Sequence, residues 1–238
     1  MSSARTHTST EQQTGRHFLG AVTPGDRPRS GVRAAVLALS LAAVGVLGTG
    51  VPSAQAAPVQ GQAVHQGPAV ECRGQGVDPD ARIRYGSDIV IDAPLHTIWK
   101  VQTDVQHWPS WQAPVLTMER LGHGPLRPGA QFRWTTPAPA TPTTPETTLA
   151  ITSTVRQLKA NSCIRWTGPA IGDGLRIDEG VHVWTFSKVK DGVRVRTEET
   201  WTGDQVETDV PTATAALGQG LELWLSDLKT TAEAAAHR

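Results

Sequence analysis

From Val115 to Thr202 the chain alternates apolar and polar residues with a period of two, and the stretch after it switches to the period of a helix. The alternating runs read as strands over 115–121, 131–136, 147–157, 163–168, 175–188 and 193–202. Turn formers part them at 122–128, 137–145, 159–161 and 172–174. Asp191-Gly192 stands between the last two runs, a strong hairpin signal that makes neighbouring strands antiparallel. The closing helix is predicted over 211–235, with Leu217, Leu221, Trp224, Leu225 and Leu228 on one face. Strands first and one long amphipathic helix last is an α+β pattern, because the helix must bury its stripe on the sheet. Gly218 and Gly220 each cost that helix about 1 kcal/mol relative to Ala, which implies a bend or a close approach.

Ahead of the alternating region, residues 85–91 read as a first strand. A helix is predicted to begin over 93–99, with Pro94 in its first turn and Leu95, Ile98, Trp99 and Gln102 on its inner face. A second short helix or turn spans 105–111 and breaks at Pro109. Residues 57–80 are rich in Gln, Gly, Ala and Pro, too poor in large apolar side chains to order themselves, and read as a disordered linker. The folded domain is placed at 81–238.

Residues 1–56 carry Arg27, Arg29 and Arg33 ahead of an apolar run over 34–50, then small residues at Ala54 and Ala56. That is the layout of a secretion signal cleaved after Ala56. The rival is a retained membrane anchor, which needs about 20 apolar residues; this run is shorter and rich in Ala and Gly. The reading is therefore a secreted protein without stable membrane insertion after cleavage. Cleavage removes five of 22 Lys and Arg and two of 22 Asp and Glu, leaving 17 and 20, a net charge of minus three. That balance, without basic clusters, argues against a nucleic-acid surface.

Cys72 and Cys163 are the two cysteines, and in an exported chain an even count invites a disulfide; two unpaired thiols are the alternative. With no Cys-x-x-Cys and no His-x-x-x-His, no metal site is indicated. No phosphate-binding loop, dinucleotide fingerprint or nucleophile elbow occurs, and no cofactor is expected.

Three segments carry a family resemblance: Ile91-Asp92-Ala93-Pro94 with Ile98-Trp99, Thr103-Asp104 and Trp108-Pro109-x-Trp111; Leu126-Arg127-Pro128-Gly129-Ala130-Gln131-Phe132-Arg133-Trp134; and Glu198-Glu199-Thr200-Trp201-Thr202-Gly203. They resemble the START-like (SRPBCC) superfamily, in its polyketide cyclase/dehydratase-like branch, over about residues 82–236. The resemblance implies a helix-grip fold: a curved antiparallel sheet around the long C-terminal helix, with two short helices after the first strand and a cavity between helix and sheet. It also implies a small apolar ligand. Members bind lipids, sterols, hormones or polyketide intermediates, and only some are catalysts, so no catalytic residue carries over.

Strand parity selects the side chains that face the cavity. His182, Trp184 and Phe186 share one face of their strand, and Val193, Val195, Thr197, Glu199 and Trp201 share one face of the next, opposite Arg194, Arg196 and Glu198. A two-residue loop at Asp191-Gly192 pairs His182 with Trp201, whereas a four-residue loop over 189–192 sets His182 opposite Glu199. Both put His182, Trp184, Glu199 and Trp201 in one patch. A carboxylate among tryptophans is stripped of water and can share a proton with a nearby His, so His182 and Glu199 are the candidate catalytic pair. They could equally satisfy one another inside the sheet.

The candidate ligand-binding residues are Trp108, Trp111, Trp134, Trp184, Thr197, Trp201, Leu221 and Trp224. Trp108 and Trp111 flank Pro109 where the resemblance implies a wall of the pocket mouth, although ordinary core is as good a reading. The Thr- and Pro-rich loop 137–145 is either a lid or a solvated connection. Three functions remain open: an exported carrier of a small apolar molecule, a cyclase or dehydratase-like acid/base enzyme, and a surface-interaction domain with a collapsed interior.

Overall fold

A computed structural model describes residues 70–237; the segment expected to be a secretion signal, 1–56, and the first part of the expected linker, 57–69, lie outside the described residues. Strand β1 (Ile83–Ile91) leads into helix α1 (Leu95–Thr103) and a 3-10 turn (Val105–Ser110). Six strands follow: β2 (Thr117–Arg120), β3 (Gln131–Ala138), β4 (Thr147–Lys159), β5 (Cys163–Gly172), β6 (Leu175–Val189) and β7 (Gly192–Thr202). A 3-10 turn (Val206–Asp209) then opens helix α2 (Val210–Ala236). The strands form one seven-stranded antiparallel sheet in the order β1-β7-β6-β5-β4-β3-β2, so β1 returns to pair with the last strand. This is the α+β helix-grip fold.

The β6–β7 hairpin closes on Val189 and Gly192, which puts His182 opposite Glu199 and Trp184 opposite Thr197. That is the register of the four-residue alternative, tightened by one pair, and it excludes the pairing of His182 with Trp201. Gly192 takes φ of +133°, and a Cβ there would meet the Ile91 carbonyl oxygen at 2.3 Å, so the turn requires glycine.

Three other expectations are corrected. Pro94 stands just outside α1, not in its first turn, and its carbonyl accepts from the N–H groups of Thr97 and Ile98. β5 does not stop at Gly168 but passes through a bulge between Gly168 and Ala170. A Cβ on Gly168 would lie 1.8 Å from the Thr152 carbonyl oxygen, so Gly168-Pro169 marks a bulge with a close strand approach, not a strand end.

The third correction concerns the linker. Residues 70–80 are not free: a disulfide joins Cys72 to Cys163 on β5, and Val70, Val77 and Val183 pack round it. Asp78 N–H donates to Thr200 Oγ1, and the Arg165 guanidinium donates to the Gly76 carbonyl. The segment therefore covers part of the sheet's outer face, where Thr200 is fully buried and Glu198 is buried and paired with Arg84. A covalent link does here what apolar content alone would not.

Helix α2 lies along β1, at one edge of the sheet. Gly218 permits this, since a Cβ there would meet the Tyr85 ring at 2.8 Å. Tyr85 Oη donates to Glu222, Lys229 Nζ donates to the Val90 carbonyl at 2.9 Å, and Asp92 N–H donates to Glu233 at 2.9 Å. Leaning on one edge leaves room between the helix and the strands beyond.

Candidate functional site

Apart from the group round the disulfide, the buried apolar residues fall into two groups. In one, Trp108 is fully buried, donates from Nε1 to the Gln102 carbonyl at 3.0 Å, and meets Phe132, Trp134 and Trp224 edge to face. The other gathers Ile83, Leu149, Ile177, Val206, Leu217 and Leu221. A cavity of about 590 Å³ lies beside both, bounded by α2, loop 137–145 and the inner face of β3 to β7. Exposed residues on its rim, Pro139 and Ala140 from the loop and Ala216, Gln219 and Gly220 from α2, mark its mouth. The Thr and Pro loop is thus part of the cavity wall.

Trp134, Trp201, Leu221 and Trp224 line this space, and so do His182 and Glu199. The other four proposed binding residues do not. Trp184 and Trp108 are wholly enclosed in the aromatic group, and Trp111 packs at its edge, 6.4 Å from the Trp224 ring. Thr197 is fully buried behind His182. Parity identifies the inner face but does not tell which part of it is already filled, and the edge-to-face indoles fill one end.

Glu199 faces inward. Its Oε1 accepts from Trp201 Nε1 at 2.7 Å, and its Oε2 lies 2.9 Å from His182 Nδ1. His182 Nε2 is 2.7 Å from Thr197 Oγ1. Both imidazole nitrogens are therefore occupied, and the carboxylate is the member of the trio that can meet a bound molecule. Gly180, also on the wall, leaves the approach open: a Cβ on it would sit 3.5 Å from Glu199 Oε1 in ordinary contact.

Several lining residues escaped the sequence reading: Trp166 and Ile151 on the inner faces of β5 and β4, Ser153, whose hydroxyl accepts from Trp134 Nε1 at 3.2 Å, and Gln112. The first two carry the same period-two signal as Trp134 and were legible by parity. Gln112, in a turn, carries no periodic signal. At the mouth, Asp209 caps α2, where the hydroxyl and N–H of Thr212 hold its carboxyl below the usual carboxylate range.

Residues 82–233 match the model of the family described as polyketide cyclase / dehydrase and lipid transport. The chain belongs to this family. Its helix-grip fold is shared with solved structures: a START superfamily protein from Mycobacterium smegmatis matches at 14% identity with a TM-score of 0.52, over 63% of this chain and 97% of that one. The protein TTHA0849 from Thermus thermophilus matches at 16% identity with a TM-score of 0.50, over 64% and 99%. At such identities these likenesses speak for the fold alone. No curated protein matches the chain in sequence. Family membership and the cavity together make this a hydrophobic-ligand-binding helix-grip domain. No helix among the described residues is long and apolar enough to cross a membrane.

Proposed function

We propose that the protein is an exported carrier that holds one small, largely apolar molecule between α2 and the sheet. The cavity carries this reading: its volume of about 590 Å³ falls in the range of roughly 300–1,000 Å³ common for small-molecule sites. Its walls are mainly indole and aliphatic, with the braced carboxylate of Glu199 among the indoles and that of Asp209 at the mouth. Such a wall favours a molecule with an apolar body and few polar groups. A hollow of this size also argues against an interaction domain with a collapsed interior. Export is supported by the layout of residues 1–56 and by the Cys72–Cys163 bond, which persists in oxidising compartments.

Native mass spectrometry of the protein recovered from the culture medium of its producer tests this. The expected result is one small molecule per chain on a polypeptide starting at Ala57. Empty protein whose tryptophan emission responds to no apolar ligand contradicts the carrier role, and an uncleaved, membrane-held chain contradicts export.

One observation favours a second reading, acid/base catalysis in a cyclase or dehydratase-like enzyme: Glu199 faces the cavity with His182 behind it. In that chemistry Glu199 exchanges the proton with substrate, and His182, enclosed by Thr197, positions and balances the carboxylate. Glu199→Gln then abolishes turnover of a candidate substrate with binding nearly intact; unchanged turnover removes Glu199 from the mechanism.

A further inference from the structure

The ionisable side chains on the cavity wall are unbalanced in sign. Glu199 and Asp209 line the space together with His182, and among the described residues no Lys or Arg does. Arginines of the same sheet serve its other face: Arg84 pairs with Glu198, and the Arg165 guanidinium donates to the Gly76 carbonyl. Whether His182 is neutral or protonated, the two carboxylates outnumber the positive charge. The N-terminus of α2, which would otherwise draw an anion to the mouth, is capped by Asp209, whose oxygens accept from the N–H and hydroxyl of Thr212.

Glu199 is the charged group that a molecule inside can touch. Its side chain is 17% exposed on the inner face of β7, a strand flanked by β1 and β6, so this surface opens into the cavity. Trp201 Nε1 and His182 Nδ1 each take one acceptor direction of the carboxylate, which offers about four when ionised. A neutral apolar molecule that fills the hollow drives water from the remaining directions and replaces it with nothing, which is costly for a charge. A carboxylic acid brings a second negative charge. A protonated amine brings donors and the opposite charge together, and indole, present here as Trp166, Trp201 and Trp224, is the ring that attracts a cation best.

We infer that the cavity selects a cationic amphiphile, an apolar body bearing one protonated amine, with Glu199 as its counter-ion. The inference rests on the cavity being a ligand site, and it names the polar group of what enters.

The test uses the whole protein with its disulfide intact and three pyrenes of nearly equal size: 1-pyrenemethylamine, 1-pyrenemethanol and 1-pyrenecarboxylic acid. Binding is followed at neutral pH by energy transfer from tryptophan, in about 0.5 M NaCl, which screens exposed charges far more than an enclosed carboxylate. The unaltered protein is expected to bind the amine about tenfold or more tightly than the alcohol, the size of effect that a hydrogen bond to a charged group gives, and the acid most weakly. In Glu199→Gln, which keeps the shape and removes the charge, the amine should lose its lead while the alcohol binds as well as before or better.

Equal or reversed affinities for amine and alcohol in the unaltered protein would overturn the inference and leave the cavity reading standing. An undiminished lead of the amine in Glu199→Gln would overturn it too, since the carboxylate would then play no part. Should that variant not fold, the order of the three pyrenes on the unaltered protein decides alone. If none of them enters, the cavity reading fails and takes this inference with it.

Discussion

His182, with Nε2 on Thr197 and Nδ1 beside Glu199, shows how residue parity converts into chemistry and where it stops. The period-two pattern placed Glu199 and His182 on the inner face, which the register His182 opposite Glu199 realises. It could not separate Glu199, which borders open space, from Trp184 and Thr197, which face the same way and are enclosed. Trp184 is covered by Trp224 of α2, which Trp108 from a 3-10 turn meets in turn, and no strand pattern describes either. Thr197→Val, which keeps shape and removes the hydroxyl, should leave His182 Nε2 unpaired at a cost of about 1–3 kcal/mol. Chemical denaturation measures this. A midpoint that does not move would mean that the hydroxyl contributes nothing to holding the imidazole.

Within α2, two glycines separated by a single residue have opposite predicted effects. Gly218→Ala should destabilise by about 1–3 kcal/mol, because its Cβ would strike the Tyr85 ring and lift the helix off β1. Gly220→Ala meets no atom within 4 Å and should stabilise by up to about 1 kcal/mol through helix propensity. Equal effects in urea unfolding would contradict the seating of the helix. The sequence alone showed both glycines as oddities in a helix and could not tell them apart, since the reason lies on another element.

The helix also carries a pH dependence. Asp209 is held below the usual carboxylate range by Thr212, and Glu233 by Lys229 and the Asp92 N–H. Their contribution is complete at neutral pH and is lost as acidification passes through these lowered values. Asp227, raised by burial, works the other way, and its cost disappears on protonation. The thermal midpoint should therefore fall on acidification below the usual carboxylate range, and Asp209→Asn, a cap that does not titrate, should flatten that fall. An unchanged slope would mean that the cap plays no part in it.

Across the whole molecule the order of elements was legible because each strand is punctuated by its own turn, and the helix limits were legible because five apolar residues share a face. The extent of the domain was not. Residues 70–80 lack the apolar content to fold alone, yet the Cys72–Cys163 bond closes a separation of 91 residues and fastens them to the sheet. Replacing both cysteines by Ser should cost about 4–5 kcal/mol on the chain-entropy account and release the segment to proteolysis. An unchanged unfolding midpoint would show that the bond constrains little.

All of these elements serve one arrangement, a helix seated on one edge of the sheet with room left over the strands beyond. Crystals pressurised with xenon test it most directly, since the gas settles in apolar hollows. The account predicts xenon between Trp134, Trp166, Leu221 and Trp224. Side chains filling that space, with no xenon bound there, would contradict it.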